Sequence, residues 1–125
     1  MSKILLIEPD RRLMVAMQEV LLHDGHECLC HVAPETALSD LARQSPDLVV
    51  MELRQRTMDA LTVMERITNN YCVPVIVLST TASATEESMM LRLGADDYLA
   101  KPFSMRVFGA RVAAALRSAA PNLRD

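Results

Sequence analysis

Five short apolar runs alternate along this chain with five amphipathic stretches, and that alternation constrains the fold more than any other feature. Most of the runs are nearly continuous in Val, Ile and Leu, which is typical of parallel strands buried on both faces. Strict alternation of strand and helix predicts right-handed crossovers that cover both sides of one parallel sheet. The sequence therefore predicts a single-domain (βα)5 three-layer α/β sandwich. The predicted strands are residues 3–7, 27–32, 47–52, 73–78 and 98–100.

The amphipathic stretches carry apolar residues at helical spacing and are bounded by recognisable signals. Asp10 precedes the first stretch, where an N-cap is expected, and Gly94 follows the fourth, where a left-handed cap is expected. Pro34 opens the second stretch, and Ser45-Pro46 ends it. The residues expected to face the core are Leu13, Met17, Val20, Leu21, Ala37, Leu38, Leu41, Ala42, Leu61, Met64, Ile67, Phe108, Val112, Ala115 and Leu116.

The length and composition fit one domain. The 125 residues are 50% hydrophobic, which is enough for a single core, and we predict a domain over residues 1–119 followed at 120–125 by a tail or the start of a linker. The net charge of −3 argues against a nucleic-acid-binding surface on the domain itself. The three cysteines have neither disulfide nor zinc spacing and are expected to be reduced core residues. No apolar stretch approaches the roughly 20 residues of a membrane span, so we expect a cytoplasmic protein.

Two residues of opposite charge stand at the carboxyl ends of predicted strands. Glu52 closes the third apolar run, and Lys101 follows the fifth. The carboxyl ends of parallel strands meet at one edge of the sheet, which is where the chemistry of such folds is found. We therefore expect Glu52 and Lys101 to meet there.

Five features together resemble the receiver domain of bacterial response regulators over nearly the whole chain. They are the acidic loop 8–10, the acid Glu52, the hydroxyl of Ser79, the segment 94–98 with the sequence Gly-Ala-Asp-Asp-Tyr, and the Lys-Pro-Phe segment 101–103. The resemblance implies a CheY-like, flavodoxin-like sheet in the order 2-1-3-4-5. It is strongest with the OmpR-like subgroup.

The resemblance also implies a phosphorylation site at the sheet edge. Family members hold Mg²⁺ with two acids after strand one, accept a phosphoryl group on an aspartate after strand three, and bind it with a hydroxyl group and a lysine. The corresponding positions here are Glu8, Pro9, Glu52, Ser79 and Lys101. Glutamate and proline at two of these positions depart from the family pattern.

Both departures weaken the expected chemistry. Pro9 offers no side-chain oxygen to Mg²⁺, which prefers near-octahedral oxygen ligands, so weak binding at Glu8 and Glu52 is the most that we expect. Asp10 completes the acidic pocket, and helix capping is favoured over ligation for it. Glu52 carries its carboxylate one methylene too far for in-line phosphoryl transfer. The loop 55–57 departs from the family pattern as well, and the chain is expected to be a pseudo-receiver with no cofactor.

Two roles remain open for Glu52. In the first, it imitates a phosphorylated aspartate by reaching Ser79 and Lys101, which biases the domain toward its output state. In the second, Glu52 and Lys101 form only a salt bridge, and the switch is frozen. Tyr98 has two corresponding interpretations, as the reporter that turns inward in receivers or as a half-buried aromatic residue at the sheet edge.

The resemblance to the OmpR-like subgroup implies a homodimer through helix four, strand five and helix five. Apolar residues stand in this chain where charged interface residues are expected, so we expect apolar burial to drive the contact. The residues of the predicted dimer face are Met89, Met90, Arg92, Asp96, Asp97, Val107 and Arg111.

Three classes of function compete. The first is the regulatory domain of a transcription factor whose DNA-binding domain lies beyond residue 125, and the second is a stand-alone adaptor that docks on a partner protein. An enzyme on a similar fold is the third. It is disfavoured because Glu8 stands where a dehalogenase-type phosphatase has its aspartate nucleophile, and the loop 8–12 lacks the hydroxyl and amide groups with which flavodoxin-like proteins bind phosphate.

Overall fold

The computed structural model describes residues 2–54 and 58–119, and within these ranges five parallel strands form one sheet in the order β2-β1-β3-β4-β5. Five helices alternate with the strands along the chain. The predicted fold class and strand order are both confirmed. The strands are β1 (Lys3–Ile7), β2 (Glu27–His31), β3 (Leu48–Glu52), β4 (Val75–Ser79) and β5 (Asp97–Ala100). The helices are α1 (Arg11–His23), α2 (Pro34–Gln44), α3 (Ala60–Asn70), α4 (Ala84–Arg92) and α5 (Met105–Ala119).

The sheet is covered on both faces because alternate residues of its central strands point in opposite directions. Leu5, Val49 and Val77 pack on one face against α2, α3 and α4. Leu6 and Val50 pack on the other face against α1 and α5. The polar strand β2 lies at one edge of the sheet, as predicted.

Capping residues start the helices near the carboxyl edge of the sheet. The Asp10 carboxylate accepts hydrogen bonds from the backbone N–H groups of Arg12 and Leu13 at 3.0 and 3.3 Å, which confirms it as the N-cap of α1. Ser83 caps α4 in the same way, through the N–H group of Glu86 at 3.0 Å. These caps place the starts of α1 and α4 beside the ends of β1 and β4.

Four predicted core positions are exposed in the structure. Leu61 is 38% exposed, because α3 begins at Ala60 and its buried stripe runs through Ala60, Val63, Met64 and Ile67. Ala42 is exposed, because it lies one residue beyond the buried Leu41 on α2. Cys30 is exposed and Cys28 is partly buried, because both lie on the edge strand β2, and Cys72 is exposed because it lies in the loop between α3 and β4.

The predicted bounds of strands differ from the observed ones by one or two residues. The strand predicted at 73–78 begins at Val75 and includes Ser79, so the hydroxyl expected to follow the strand is its last residue. The predicted loop 55–57 and the predicted tail 120–125 lie outside the described residues. Among the helices of the described ranges, none combines the length and the apolar character that a bilayer span requires.

Candidate functional site

The carboxyl ends of the strands place the predicted site residues at one edge of the sheet. Glu8 directly follows β1, Glu52 and Ser79 end β3 and β4, and Lys101 directly follows β5. The two carboxylates and the hydroxyl group are buried, with exposed fractions of 1% for Glu8, 3% for Glu52 and 0% for Ser79. Burial of two acids next to each other calls for a compensating positive charge.

Lys101 supplies that charge to both acids. Its Nζ atom lies 2.7 Å from Oε1 of Glu8 and 2.6 Å from Oε2 of Glu52. The other oxygen of each carboxylate accepts a backbone N–H group two residues further along, from Asp10 to Glu8 at 3.0 Å and from Arg54 to Glu52 at 3.1 Å. The lysine therefore bridges the ends of β1 and β3.

The pKa values of this cluster follow from burial and pairing. Burial raises the pKa of Glu8 above its ordinary value of 4.5, although the ammonium of Lys101 and the N–H group of Asp10 oppose that shift. Burial works against the charge of Lys101, but its bonds to Glu52 and Glu8 outweigh burial and raise its pKa above 10.5. Lys101 is therefore a cation at neutral pH.

The donor set does not fit an octahedral Mg²⁺ site. The ammonium of Lys101 occupies the space between Glu8 and Glu52 that a cation would need, Pro9 has no side-chain oxygen, and Asp10 directs its carboxylate to the start of α1. Within residues 2–54 and 58–119, no group of three or more His, Cys, Asp or Glu side chains could hold a metal ion.

A second cluster lies beside the first and centres on Glu86, in the first turn of α4. The hydroxyl groups of Ser79 and Tyr98 both donate to Oε1 of Glu86, and the hydroxyl group of Thr81 donates to Oε2 at 2.9 Å. Glu86 was not predicted from the sequence to be a site residue. The pattern Ser83-x-x-Glu86 is a capping-box signature, but a capping box predicts a bond from Glu86 back to the start of its own helix, not bonds to β4 and β5.

The two clusters separate the residues that the family resemblance placed together. Ser79 has a single hydroxyl proton and donates it to Glu86, so that proton is not available to Glu52. Glu52 contacts Lys101 instead. Tyr98 is buried, with its hydroxyl group pointing to Glu86.

The predicted dimer face is only partly exposed. The prediction that Met90 lies on the surface is wrong, because Met90 is 2% exposed and packs into the core against the sheet. The carboxylate of Asp96 is used within the domain, where it accepts a hydrogen bond from the backbone N–H group of Val75 at 2.8 Å. Asp97 pairs within the chain with Arg111, whose Nη1 lies 2.8 and 3.0 Å from the two carboxylate oxygens.

Three exposed apolar side chains lie on α4 and α5, but they do not all lie on one face. Val107 on α5 is 41% exposed, whereas Met89 is 48% exposed but lines the groove between α3 and α4 together with Leu61. Leu91, which was not predicted to belong to the dimer face, is 44% exposed on the opposite side of α4 from Met89. The predicted Arg92 is also exposed.

Comparison with known proteins agrees with this geometry. Residues 4–113 match the family described as response regulator receiver domain. The chain belongs to that family. This receiver domain is 35% identical over 117 residues to the transcriptional regulatory protein CpxR of Escherichia coli K12, covering 94% of this chain and 50% of CpxR. It is 34% identical to the transcriptional regulatory protein AfsQ1 of Streptomyces coelicolor, covering 94% of this chain and 52% of AfsQ1.

The receiver domain thus spans about half the length of the curated relatives it matches. Among solved structures, it is similar to HP1043, an orphan response regulator of Helicobacter pylori, with a TM-score of 0.85 and 29% identity over 93% of this chain and 97% of that one. It also shares its fold with the BeF3-activated receiver domain of RstA from Klebsiella pneumoniae, with a TM-score of 0.86 and 24% identity over 92% of this chain and 98% of that one.

Proposed function

We propose that this receiver domain regulates transcription without being phosphorylated. The observation that carries the proposal is the bridge from Lys101 to both Glu52 and Glu8. It neutralises one of the two buried negative charges of the acidic pocket from within the chain. A typical receiver pocket needs a divalent cation for that purpose, whereas this one is already paired.

The length of the Glu52 side chain supports the same proposal. Phosphoryl transfer requires the acceptor oxygen within about half an ångström of its productive position, and a glutamate carboxylate is displaced by one methylene. Pro9 removes a metal ligand as well. We expect Mg²⁺ to bind weakly or not at all at Glu8 and Glu52.

Of the two roles left open for Glu52, the geometry favours the salt bridge. Imitation of a phosphoryl group requires contact with both Lys101 and Ser79, but the Ser79 hydroxyl group donates its hydrogen bond to Glu86. Glu52 has the first contact, at 2.6 Å. On this basis Glu52 and Lys101 form a fixed electrostatic contact at the sheet edge.

The output is proposed to come from a DNA-binding domain beyond residue 125. The curated relatives CpxR and AfsQ1 are named transcriptional regulatory proteins and are about twice as long as the part this chain matches. Residues 120–125 would then begin the linker. We infer that the domain acts through protein contacts, as a regulator and not as an enzyme.

We further propose that two copies of the domain associate through α4, β5 and α5. Exposed Leu91 on α4 and Val107 on α5 supply the apolar area, and the Asp97–Arg111 pair joins β5 to α5. Because apolar burial is not screened by ions, the dimer should depend only weakly on salt.

Sedimentation at micromolar to high micromolar concentration tests the dimer. Leu91→Lys should shift the population toward the monomer, whereas Val15→Lys should not, although Val15 on α1 is also exposed. A wild-type monomer over the whole range would contradict the proposed interface, and so would equal effects of the two variants.

Labelling with acetyl phosphate and Mg²⁺ tests phosphorylation independence. The wild type should acquire no hydroxylamine-labile phosphate. Glu52→Asp shortens the side chain, and Glu52→Asp combined with Pro9→Asp also restores a metal ligand, so the double variant should be labelled best. A labelled wild type would overturn the proposal.

A melting curve with Mg²⁺ and beryllofluoride gives an independent readout. A ligand present at 100 times its dissociation constant stabilises a protein by about 2.7 kcal/mol. We expect no such gain for the wild type. The variant with both Glu52→Asp and Pro9→Asp serves as the positive control.

A further inference from the structure

Three hydroxyl groups from separate segments converge on the carboxylate of Glu86. Ser79 ends β4, Thr81 lies in the loop that follows, and Tyr98 belongs to β5. Glu86 itself belongs to α4. One carboxylate therefore connects the end of the sheet to α4, the helix that carries the exposed Leu91.

We propose that Glu86 is the positioning residue of the switch in this receiver domain, and that its carboxylate holds Tyr98 in the buried position and turns Ser79 away from Glu52. The inference deepens the proposed function and rests on it for its meaning. If the pocket at Glu52 is never phosphorylated, an anion on α4 can hold the same hydroxyl groups permanently.

The hydrogen-bond pattern supports this role. Hydroxyl groups that donate to an ionised carboxylate form charge-assisted bonds, which are shorter and stronger than neutral ones. Glu86 accepts two such bonds on Oε1 and one on Oε2, and Thr81 adds rigidity by donating its backbone N–H group to Ser79 Oγ at 3.0 Å. The three donors form a connected set around one charge.

The surrounding charges favour the anionic form of Glu86. Burial raises its pKa, but the hydrogen bonds from Ser79, Tyr98 and Thr81 and the charge of Arg54 together bring the pKa below 4.5. The carboxylate is therefore ionised at neutral pH. Burial, together with the bond to Glu86, also raises the pKa of the Tyr98 phenol above 10.0.

Helix capping does not account for this arrangement. The N-cap of α4 is Ser83, which already accepts the backbone N–H group of Glu86 at 3.0 Å. The neighbouring Glu87 also lies in the first turn, where an acid suits the helix dipole, and its side chain is exposed. Glu86 differs from Glu87 in its contacts with β4 and β5.

Ultraviolet titration of a single tyrosine tests the inference. Tyr71→Phe leaves Tyr98 as the one phenol of the chain. In this background, Glu86→Gln should lower the pKa of Tyr98 and speed its fluorescence quenching by acrylamide, because the phenol loses the carboxylate that holds it inside. Glu87→Gln should leave both unchanged.

Either of two results would overturn the inference. One is a Tyr98 titration that Glu86→Gln does not move, and the other is an equal shift in Glu87→Gln. If Glu86→Gln does not fold, the carboxyl resonance of Glu86 can be titrated by NMR in Tyr98→Phe and Ser79→Ala. Both variants should raise its pKa, and no change in either would contradict the inference.

These measurements use no phosphodonor, so their failure is distinguishable from failure of the proposed function. A wild type that is labelled by acetyl phosphate while Tyr98 still responds to Glu86→Gln would overturn phosphorylation independence and leave the positioning role intact. If the wild type is not labelled and Tyr98 does not respond to Glu86→Gln, the positioning role of Glu86 is overturned and phosphorylation independence stands.

Discussion

Lys101 Nζ lies 2.6 Å from Glu52 Oε2, although these residues follow different strands and are far apart in the sequence. The same nitrogen lies 2.7 Å from Oε1 of Glu8. All three side chains are largely shielded from water, so each charge depends on the others for its stability.

Removing the lysine should be costly. Lys101→Met leaves two buried carboxylates without their cation, and breaking a buried pair in this way costs about 3–5 kcal/mol. Urea unfolding at pH 7 measures the loss. Lys3→Met is the control, because Lys3 lies at the opposite end of the sheet and its ammonium group bonds only to Gln44 among its described hydrogen-bond partners.

A second substitution checks that charge is the cause. Adding Glu52→Gln to Lys101→Met removes one of the two uncompensated charges and should recover part of the lost free energy of unfolding. If Lys101→Met and Lys3→Met cost the same, or if Glu52→Gln gives no recovery, the bridge does not hold the sheet edge together.

Acid should erase the stabilising contribution of Glu86. Its pKa is below the ordinary value of 4.5 in the folded protein, so its contribution is present above pH 4.5 and is lost as the pH falls through the folded pKa. Glu86→Gln should therefore be less stable than the wild type at pH 7, and the difference should shrink below pH 4.5. Unfolding curves over this range measure it, and Glu87→Gln should show no such convergence.

Asp10 should behave as a helix cap and not as a metal ligand. Asp10→Ala removes the acceptor of two N–H groups at the start of α1 and should cost about 1 kcal/mol of unfolding free energy. Asp10→Asn should cost less, because asparagine is also a good N-cap. Mg²⁺ should not change the order of the three melting temperatures, and a Mg²⁺ effect confined to the wild type would indicate ligation.

Gly94 should tolerate no side chain. Its φ is +114°, and a Cβ atom there would lie 2.9 Å from Cγ2 of Thr68, so Gly94→Ala meets both backbone strain and a clash. We expect a loss above about 1 kcal/mol. Gly25→Ala is the matched control, since Gly25 has φ +88° with nothing within 4 Å of the added atom. Thr68→Ser should relieve Gly94→Ala in part.

Local patterns were sufficient to predict the elements and the (βα)5 sandwich, whereas the strand order 2-1-3-4-5 came from the family resemblance. The apolar run that became β3 and the capping position of Asp10 are properties of neighbouring residues, and both are confirmed. Leu61 shows the limit of such patterns. Its place on or off the buried stripe depends on the residue at which α3 begins, and a shift of one residue turns a side chain by about 100°.

The sequence predicted which strand-end residues form the candidate site, but it did not predict which of these side chains bond to each other. Glu8, Glu52, Ser79 and Lys101 lie together because parallel strands bring their carboxyl ends to one edge. The sequence did not predict which carboxylate accepts the hydrogen bond from the Ser79 hydroxyl group. That choice depends on Glu86, whose local pattern indicates only a helix start.

The sequence by itself determined three features: the succession of strands and helices along the chain, the burial of the central strands, and the residues at the ends of the strands. Each of these features follows from the side chains at adjacent positions. The tertiary structure decided that Lys101 joins Glu52 to Glu8, that Met90 is buried while Met89 is exposed, and that Ser79 and Tyr98 bond to Glu86. These outcomes depend on distances between segments remote in the chain. Such distances are set by the packing of α4 on the sheet, which no local pattern contains.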